Sequence, residues 1–494
     1  MKKQIFQSLF VAIALFGLIA CDNHFISDPK LREQIHSEWR QRKEIFTHGN
    51  TFSIFEEQLS PEEREAMEFL YSSMPSADLA DYDGEYFLQN VRFSLKARQE
   101  MAWGKSIPED VFRHFVLPIR VNNERMDDFR MTYYDELKER VKGLSLHDAA
   151  LEVNHWCHEK VTYIPSDART SSPMATIRNA EGRCGEESTF TVSAMRAVGI
   201  PARQVYTPRW AHTDSNHAWV EVWIDGNWEF LGACEPEPEL NVAWFNQPAT
   251  RALLMHTRVR GDYHGKEDVI QRTNCFTEIN VIDNYAPVRK TVVKVVDSEG
   301  KAVEGALVEY KIFNYGEFYS VVKLNTDSKG ETSIHSGLGD MLVWASHNGR
   351  FGLGKLSGES LTIDLKYKDG DIFSFTEDVI PPPQGDLPVK LSEEQVAHNK
   401  LRLAHEDSIR LAYIATFATA ERLKEYSPRE QRLMIGGRGN WQTIKAFIDS
   451  NKGKERERAL ALLENISAKD LHDTELDILN DALNSTRQAE LDEI

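Results

Sequence analysis

The spacing of apolar residues predicts helices over the first third of the chain. Met67, Leu70 and Tyr71 recur at the spacing of one helix face. Ser60 lies ahead of them and stands immediately before a proline, as a capping residue does before the first helical position. A further amphipathic pattern begins at Ser145. We therefore expect a helical N-terminal region and a new helix that opens at Ser145.

The pattern changes to strict alternation between residues 276 and 370. Runs such as 291–296 and 306–310 alternate in polarity or are rich in β-branched residues. Glycine-containing turns at 297–300 and 327–330 separate them. Alternation with turns at this spacing predicts a β-sandwich over 276–370.

The remainder of the chain reads as a linker followed by helices. Three consecutive prolines beginning at Pro381 predict a linker over 371–391. Residues 392–494 are charged and poor in glycine, with helix-start signals at Ser392 and Ser467. We expect a helical C-terminal domain whose role the pattern does not indicate. At 494 residues the chain is too long for one core, which favours several domains.

The charge balance excludes some functions. Lysine and arginine number 58 against 77 aspartate and glutamate, for a formal net charge of -19. Nucleic acid binding needs a positive surface, so we expect no nucleic acid partner. The same balance argues against peripheral adhesion to anionic lipid.

The N-terminus has the features of a targeting segment. Two lysines precede an apolar run, and the Leu-Ile-Ala-Cys sequence at 18–21 looks like a bacterial lipobox. We predict a signal peptide at 1–20, a lipid on Cys21, and a tether with a helical region over 21–144. No later apolar run approaches the ~18–20 residues that span a bilayer, so this lipid would be the membrane anchor. The expected location is the cell envelope, either facing the periplasm or as an outer-membrane lipoprotein.

The remaining cysteines are too few for a disulfide framework in a chain of this size. A Cys157–Cys234 bridge and a Cys234–Cys275 bridge are both compatible with an oxidising compartment. The sequence does not decide between them.

Cys184 is a candidate nucleophile because of where its helix begins. Phe190, Ala194 and Val198 are spaced for one buried helix face, and Gly199 supplies a stop. Cys184 would therefore lie at a helix N-terminus, where unpaired N–H groups and the macrodipole favour a thiolate. The same N–H groups can hold a developing oxyanion. We expect the pKa of this thiol to be depressed.

His217 is the candidate base. Residues 217–224 alternate like a strand, Asp225-Gly226 is a strong hairpin signal, and residues 227–231 form the return strand. A nucleophilic thiol needs a nearby imidazole to take its proton and give it back. A histidine on a strand beside a cysteine at a helix start is the papain-like way to assemble such a pair.

Three motifs carry a resemblance to a known superfamily. Gly-Arg-Cys-Gly-Glu at 182–186, Met-Arg-Ala-Val-Gly-Ile-Pro-Ala-Arg at 195–203 and His-Ala-Trp-Val-Glu-Val at 217–222 resemble the transglutaminase-like superfamily. The resemblance implies an α+β fold with a transglutaminase-like, papain-like core over 145–275. The β-sandwich, whose turns are similar to those of prealbumin-like modules, and the two helical regions would flank this core.

By that resemblance, Cys184 is the nucleophile and His217 the base. We expect no cofactor, and we expect no metal because His212 and Asp214 near His217 match no strong ligand motif. The superfamily places an acid after the return strand, and Glu235 in Cys-Glu-Pro is the candidate here. Hairpin register turns Glu235 away from His217 unless a bulge at Gly232-Ala233 intervenes. The alternative is a Cys184–His217 dyad in which Glu235 only ends the strand.

The implied function is a cysteine-dependent amide hydrolase or acyltransferase that works through a thioester. Its expected substrates are peptides, peptidoglycan peptides or glycopeptides. One alternative is a catalytically inactive scaffold that binds peptides or envelope partners in the same cleft. Another is a structural envelope protein whose sandwich and C-terminal helices recruit partners.

Overall fold

The computed structural model describes residues 24–46, 49–387 and 389–486. The lipobox-like segment and Cys21 lie outside the described residues. Within those three stretches, no helix combines the length and the apolar character needed to cross a membrane.

The N-terminal region is helical, and its second helix begins after the expected capping residue. Ser60 caps the second helix through a reciprocal pair of hydrogen bonds with Glu63. This region shares one hydrophobic core with the central part of the chain, which includes Phe87, Trp156 and Phe190. Its helices are α1 (Pro29–Ile45), α2 (Pro61–Ser73), α3 (Ser76–Asp81), α4 (Gly84–Glu100), α5 (Glu109–Phe115) and α6 (Phe129–Arg140).

The central region combines helices with a six-stranded antiparallel sheet of spatial order β5-β4-β3-β6-β8-β7. Its helices are α7 (Leu146–Lys160), α8 (Pro173–Asn179), α9 (Cys184–Ala197) and α10 (Asn246–Thr250). Its strands are β1 (Thr162–Tyr163), β2 (Glu181–Gly182), β3 (Ala202–Thr207), β4 (His217–Ile224), β5 (Asn227–Leu231), β6 (His256–Arg260), β7 (Asp268–Arg272) and β8 (Phe276–Asn280). The expected boundary at 275/276 therefore falls inside this sheet, because β8 pairs with β6 and β7.

Helix α9 packs against the face of the sheet formed by Ala202, Val220 and Val222. The opposite face carries a second core around Trp219 and Phe245. Strand β4 thus lies between two cores, which accounts for its nearly continuous burial.

The β-rich region consists of two sheets that share one core. The five-stranded sheet has the order β11-β10-β13-β14-β16 and the three-stranded sheet the order β12-β9-β15. Val293 and Ile363 of the small sheet pack with Tyr310 and Val343 of the large one. The strands are β9 (Val288–Val296), β10 (Leu307–Asn314), β11 (Glu317–Asn325), β12 (Glu331–Gly337), β13 (Met341–His347), β14 (Arg350–Leu356), β15 (Ser360–Asp364) and β16 (Tyr367–Lys368).

The C-terminal region is helical with a core of its own, and Ser392 and Ser467 both cap helices there. Helix α11 packs along α7, where the buried pair His155–Glu406 has a nitrogen–oxygen distance of 2.9 Å. The helices are α11 (Glu393–Ile414), α12 (Pro428–Gly436), α13 (Trp441–Ser450), α14 (Lys454–Asn465), α15 (Ala468–Asp473) and α16 (Leu476–Ser485). The mixed α+β class, with several sheets and helical regions at both ends, is confirmed.

Candidate active site

Cys184 is the first residue of α9, as expected, and a capping interaction holds this helix end. The Glu186 carboxylate accepts a hydrogen bond from the Arg183 N–H at 3.0 Å. A Cβ at position 185 would stand 1.9 Å from a guanidinium nitrogen of Arg183, so glycine leaves room for this side chain. A larger residue would displace this guanidinium from the helix start.

The Arg183 guanidinium fastens the preceding loop to the start of α9. It donates to the Asp167 carbonyl at 2.8 Å, to the Ala168 carbonyl, and to the Thr170 hydroxyl at 3.2 Å. Every one of these acceptors lies on the loop that leads from β1 toward α8. The position of Cys184 thus depends on loop contacts as well as on helix geometry.

A lysine from the C-terminal region reaches the same place. Lys469 of α15 donates to Glu186 Oε1 at 2.9 Å, and the side chains are only 8% and 2% exposed. Lys469 also donates to the Asp167 and Arg169 carbonyls. Nearby, the Arg169 guanidinium pairs with Asp473 at 2.9 Å. The C-terminal helices therefore contribute side chains to the polar contacts around the start of α9, where the candidate nucleophile lies.

His217 opens β4 and lies in an aromatic pocket. Its ring centroid is 4.8 Å from that of Trp244, 4.9 Å from Phe245 and 5.7 Å from Trp219. Its Nε2 is buried and has no hydrogen-bond partner among the described residues. Burial without a partner disfavours the imidazolium and lowers the pKa of His217 to about 4. The ring is therefore neutral at neutral pH.

A buried polar network supports the strand that carries this histidine. Glu221 accepts from Arg203 Nε at 2.6 Å, and both side chains are 1% exposed. The Tyr285 hydroxyl donates to Glu221 at 2.7 Å and accepts from the Trp219 indole at 2.8 Å. These contacts hold β4 in a defined position, with only Nη2 of Arg203 left without a hydrogen-bond partner among the described residues of the network.

Cys184 and His217 line one cavity of about 220 Å³. The Ala218 N–H donates to the Cys184 sulfur and Arg183 lies close by, and both favour the thiolate. Burial has the larger effect, however, and raises the pKa of the Cys184 thiol above its ordinary value. The expected depression of this pKa is therefore wrong for the resting site, where a neutral thiol faces a neutral imidazole.

Glu235 lies on a tight turn, where a bulge had been expected. Strand β5 ends at Leu231, the Glu235 N–H donates to the Gly232 carbonyl at 3.2 Å, and Cys234 takes a left-handed φ of 57°. The Glu235 carboxylate accepts from the Trp244 indole at 2.8 Å. It makes no hydrogen bond or ion pair with His217 among the described contacts. Trp244, which touches both residues, is thus the link between them.

Two residues near the thiol were not identified from the sequence. Trp244 carries no motif, and its 60% exposure gives it the appearance of an ordinary surface residue. Glu187, one helical turn after Cys184, is buried with its Oε1 unpartnered, and burial raises its pKa well above the usual range. The Cys-Gly-Glu-Glu sequence was the available signal, but nothing in it distinguishes a buried carboxyl from a solvated one.

The four cysteines that the structure describes are free thiols. Cys157 on α7 and Cys234 are both buried, and burial together with the neighbouring Cys157 thiol raises the pKa of Cys234 well above its ordinary value. The sequence had also allowed a Cys234–Cys275 pair, but Cys275 lies in the turn between β7 and β8.

Comparison with known proteins bears on the central region. Residues 135–232 match the family model of the transglutaminase-like superfamily. The chain therefore carries a transglutaminase-like domain, whose matched segment includes Cys184 and His217 and ends before Glu235.

Two individual relatives are distant. An uncharacterized protein of Mycobacterium leprae is 25% identical over 103 residues, which cover 19% of this chain and 37% of that one. The crystal structure of a proposed cysteine protease from Cytophaga hutchinsonii is 22% identical, with 25% of this chain and 43% of that one covered and a TM-score of 0.21. The chain thus spans well under half the length of either relative, and a TM-score this low carries no conclusion.

Proposed function

We propose that the protein is a cysteine-dependent amide hydrolase or acyltransferase acting on peptide or glycopeptide substrates. The observation that carries the proposal is the shared cavity, which places a thiol at a helix N-terminus and a strand imidazole together. The transglutaminase-like match over the same residues supports it.

The resting protonation states define the order of events. Because both groups are neutral, the imidazole of His217 removes the thiol proton as the Cys184 sulfur attacks the amide carbon. The negative charge that develops on the carbonyl oxygen is held by N–H groups at the start of α9, which lack intrahelical acceptors. His217 then returns the proton to the leaving amine and a thioester remains. Water completes hydrolysis, or a second amine completes transfer.

Glu235 would act on His217 through Trp244. Nε2 of His217 is buried without a hydrogen-bond partner among the described residues, so in this proposal Nδ1 exchanges the proton with Cys184. Trp244 covers the imidazole while its indole N–H is held by Glu235. In this proposal Glu235 positions Trp244 and thereby the ring, and it is not a hydrogen-bond partner of the imidazole.

A second candidate function is a peptide-binding scaffold without catalysis. The absence of direct Glu235–His217 contact favours it, since a base without an orienting partner is less effective. Selective modification by a thiol-directed electrophile separates the two. An enzyme should show Cys184 reacting faster than the half-buried Cys275, with His217→Ala removing the advantage. Equal reactivity of both thiols supports the scaffold.

We also propose that the protein acts at the cell envelope, anchored by a lipid on Cys21. The support is the lipobox-like sequence at 18–21. Expression of Cys21→Ser should give a soluble or unprocessed protein with an unchanged circular dichroism spectrum. Recovery of processed Cys21→Ser protein in the membrane fraction would contradict the anchor.

Turnover of glutamine-amide, peptide-amide and glycopeptide-amide panels by the purified full chain tests the enzymatic proposal directly. Cys184→Ala is the matched inactive control. Activity that survives in Cys184→Ala would remove this cysteine from the reaction.

A further inference from the structure

We propose that the cavity of Cys184 and His217 receives a peptide with a free carboxylate close to the scissile amide, and that Arg258 binds this carboxylate. The inference rests on the proposed function and names a substrate class for the same site.

The first observation is the charge of the cavity wall. No aspartate or glutamate is among the residues that line this cavity, while two arginines, Arg183 and Arg258, are. The chain as a whole has an excess of acidic residues, at 77 against 58 basic ones. A cationic wall in an acidic protein concentrates anionic ligands at that wall.

The two arginines differ in what they are free to bind. Arg183 is already committed, because its guanidinium donates to three acceptors on the 167–170 loop and lies 3.6 Å from Glu186. Each arginine lies near one glutamate, Arg183 at 3.6 Å from Glu186 and Arg258 at 3.7 Å from Glu278, so the two differ in their hydrogen bonds and not in their charge balance. Arg258 must therefore account for any recognition of an anion.

Arg258 is held in place but keeps capacity for a ligand. Its Nε is 3.7 Å from Glu278, longer than a hydrogen bond, and Glu278 also pairs with His256 at 3.2 Å. Its guanidinium carbon is 5.0 Å from the Phe276 ring centroid, and the side chain is 44% exposed. A planar guanidinium that is held near a glutamate and an aromatic ring, and is still partly exposed, suits bidentate binding of a carboxylate.

Sheet geometry sets the distance from the reacting atoms. His217 lies on β4 and Arg258 on β6, with β3 between them. Two strand spacings correspond to about 10 Å. Because Tyr206 of β3 pairs with both Ala218 and His256, Arg258 is also offset from His217 by three residues, about 10 Å, along the strands. The two backbone positions are therefore about 14 Å apart, and the Arg258 side chain covers part of that separation because it lines the cavity. The remainder leaves room for one or two residues between the amide and the carboxylate, which is an acidic side chain or the terminal carboxylate of the leaving amino acid.

The test uses two electrophiles of equal size that differ in charge. Iodoacetylglycine carries a carboxylate one residue from the reacting carbon, and iodoacetylglycinamide carries a neutral amide there. Modification of the Cys184 peptide is followed by mass spectrometry in the full chain. We expect the acid to react about five- to tenfold faster than the amide, since one nearby positive charge at this range changes a rate by about that factor.

Variants identify the residue responsible. Arg258→Gln should reduce the acid preference to about one, and Arg258→Lys should reduce it two- to threefold because the charge remains without the planar fork. Arg350→Gln, an exposed arginine in the β-rich region, makes the same change in net charge and should leave the preference intact. An unchanged preference in both Arg258 variants, or an equal loss in Arg350→Gln, overturns the proposal.

A plain iodoacetamide reaction separates this failure from failure of the proposed function. If His217→Ala leaves the iodoacetamide rate of Cys184 unchanged, the catalytic pair is wrong whatever Arg258 does. If that rate falls while the acid preference is absent in the wild-type protein, the pair stands and the anion site does not.

Discussion

The Cys184 side and the His217 side of the cavity are stabilised by different kinds of contact. On the Cys184 side the structure is polar and long-range: Arg183, Glu186 and Lys469 join three distant segments through hydrogen bonds and an ion pair. On the His217 side it is apolar, with an imidazole surrounded by aromatic rings and Nε2 left unpaired. The thiol is therefore positioned by polar contacts from distant parts of the chain. The imidazole is positioned by aromatic rings, which also exclude water from it.

This difference predicts what a substitution on each side of the cavity should do. Loss of a polar partner on the Cys184 side leaves a buried charge unpaired and disturbs the loop and the C-terminal helices together. Loss of an aromatic contact on the His217 side admits water and restores the ordinary pKa of the ring. The predictions below separate the two outcomes.

The largest effect is expected from His217→Ala. Without a base the neutral Cys184 thiol has no internal proton acceptor, so turnover and iodoacetamide modification should fall by about 100-fold or more near neutral pH. His212→Ala is the matched control, because this half-buried histidine, whose ring centroid lies 5.7 Å from that of Trp210, is outside the cavity lining. A similar loss in His212→Ala would point to general disturbance of the fold.

Lys469→Met should give the next largest effect. It removes the hydrogen-bonded cation of the buried Glu186 carboxylate and leaves only the Arg183 guanidinium, 3.6 Å away. Loss of one partner of a buried ion pair typically costs about 3–5 kcal/mol, and Arg183 offsets part of that cost. We expect a lower midpoint of urea unfolding and slower modification of Cys184, although position 469 lies outside the cavity.

Two further variants show whether the ion pair is responsible. Lys469→Met combined with Glu186→Gln should recover part of the lost stability, because the unpaired charge is then removed. Lys424→Met, at an exposed turn position between α11 and α12, should change the midpoint little. Normal Cys184 reactivity in a destabilised Lys469→Met protein would show that the C-terminal helices do not position the thiol.

The pH dependence of activity tests the neutral pair. The lowered pKa of His217, about 4, means that the ring is neutral and able to act as a base above that pH and is protonated below it. The acid limb of kcat/KM should therefore lie near pH 4, well below the ordinary histidine value of about 6.5.

Because burial raises the pKa of Cys184, the rate of iodoacetamide modification should keep rising with pH beyond the ordinary thiol range. Modification that persists unchanged to pH 5 would indicate a thiolate–imidazolium pair.

The sequence predicted the features that are determined locally. Cys184 at a helix start and His217 at the start of a hairpin strand follow from capping, periodicity and a two-residue turn, and the structure has both. The hairpin register, with Ile224 opposite Asn227, was also predicted correctly.

Features that depend on tertiary contacts were not predicted. Lys469 meets Glu186 across 283 positions of sequence, and no local pattern indicates such a pair. The pKa of Cys184 was predicted in the wrong direction because the helix N-terminus is visible in the sequence, whereas the burial that outweighs it is not. The turn at Gly232–Glu235 depends on α7, whose Asn154 amide binds the Gly232 carbonyl and the Cys234 N–H.

The smallest expected effect concerns Trp244 and decides how Glu235 acts. Trp244→Phe keeps an aromatic ring over His217 but removes the indole N–H that Glu235 accepts. We expect a loss of about two- to fivefold in kcat with little change in KM, comparable to one hydrogen bond of about 0.5–1.5 kcal/mol. Glu235→Leu, which removes the oxygens that accept from the indole, should give a loss of similar size. If Glu235 acts through Trp244, the double variant should be no worse than either single one, because both remove the same contact. Additive losses would show that Glu235 reaches His217 by another route, with Trp244 displaced, and the direct Cys184–His217–Glu235 triad would then be the better description of the working enzyme.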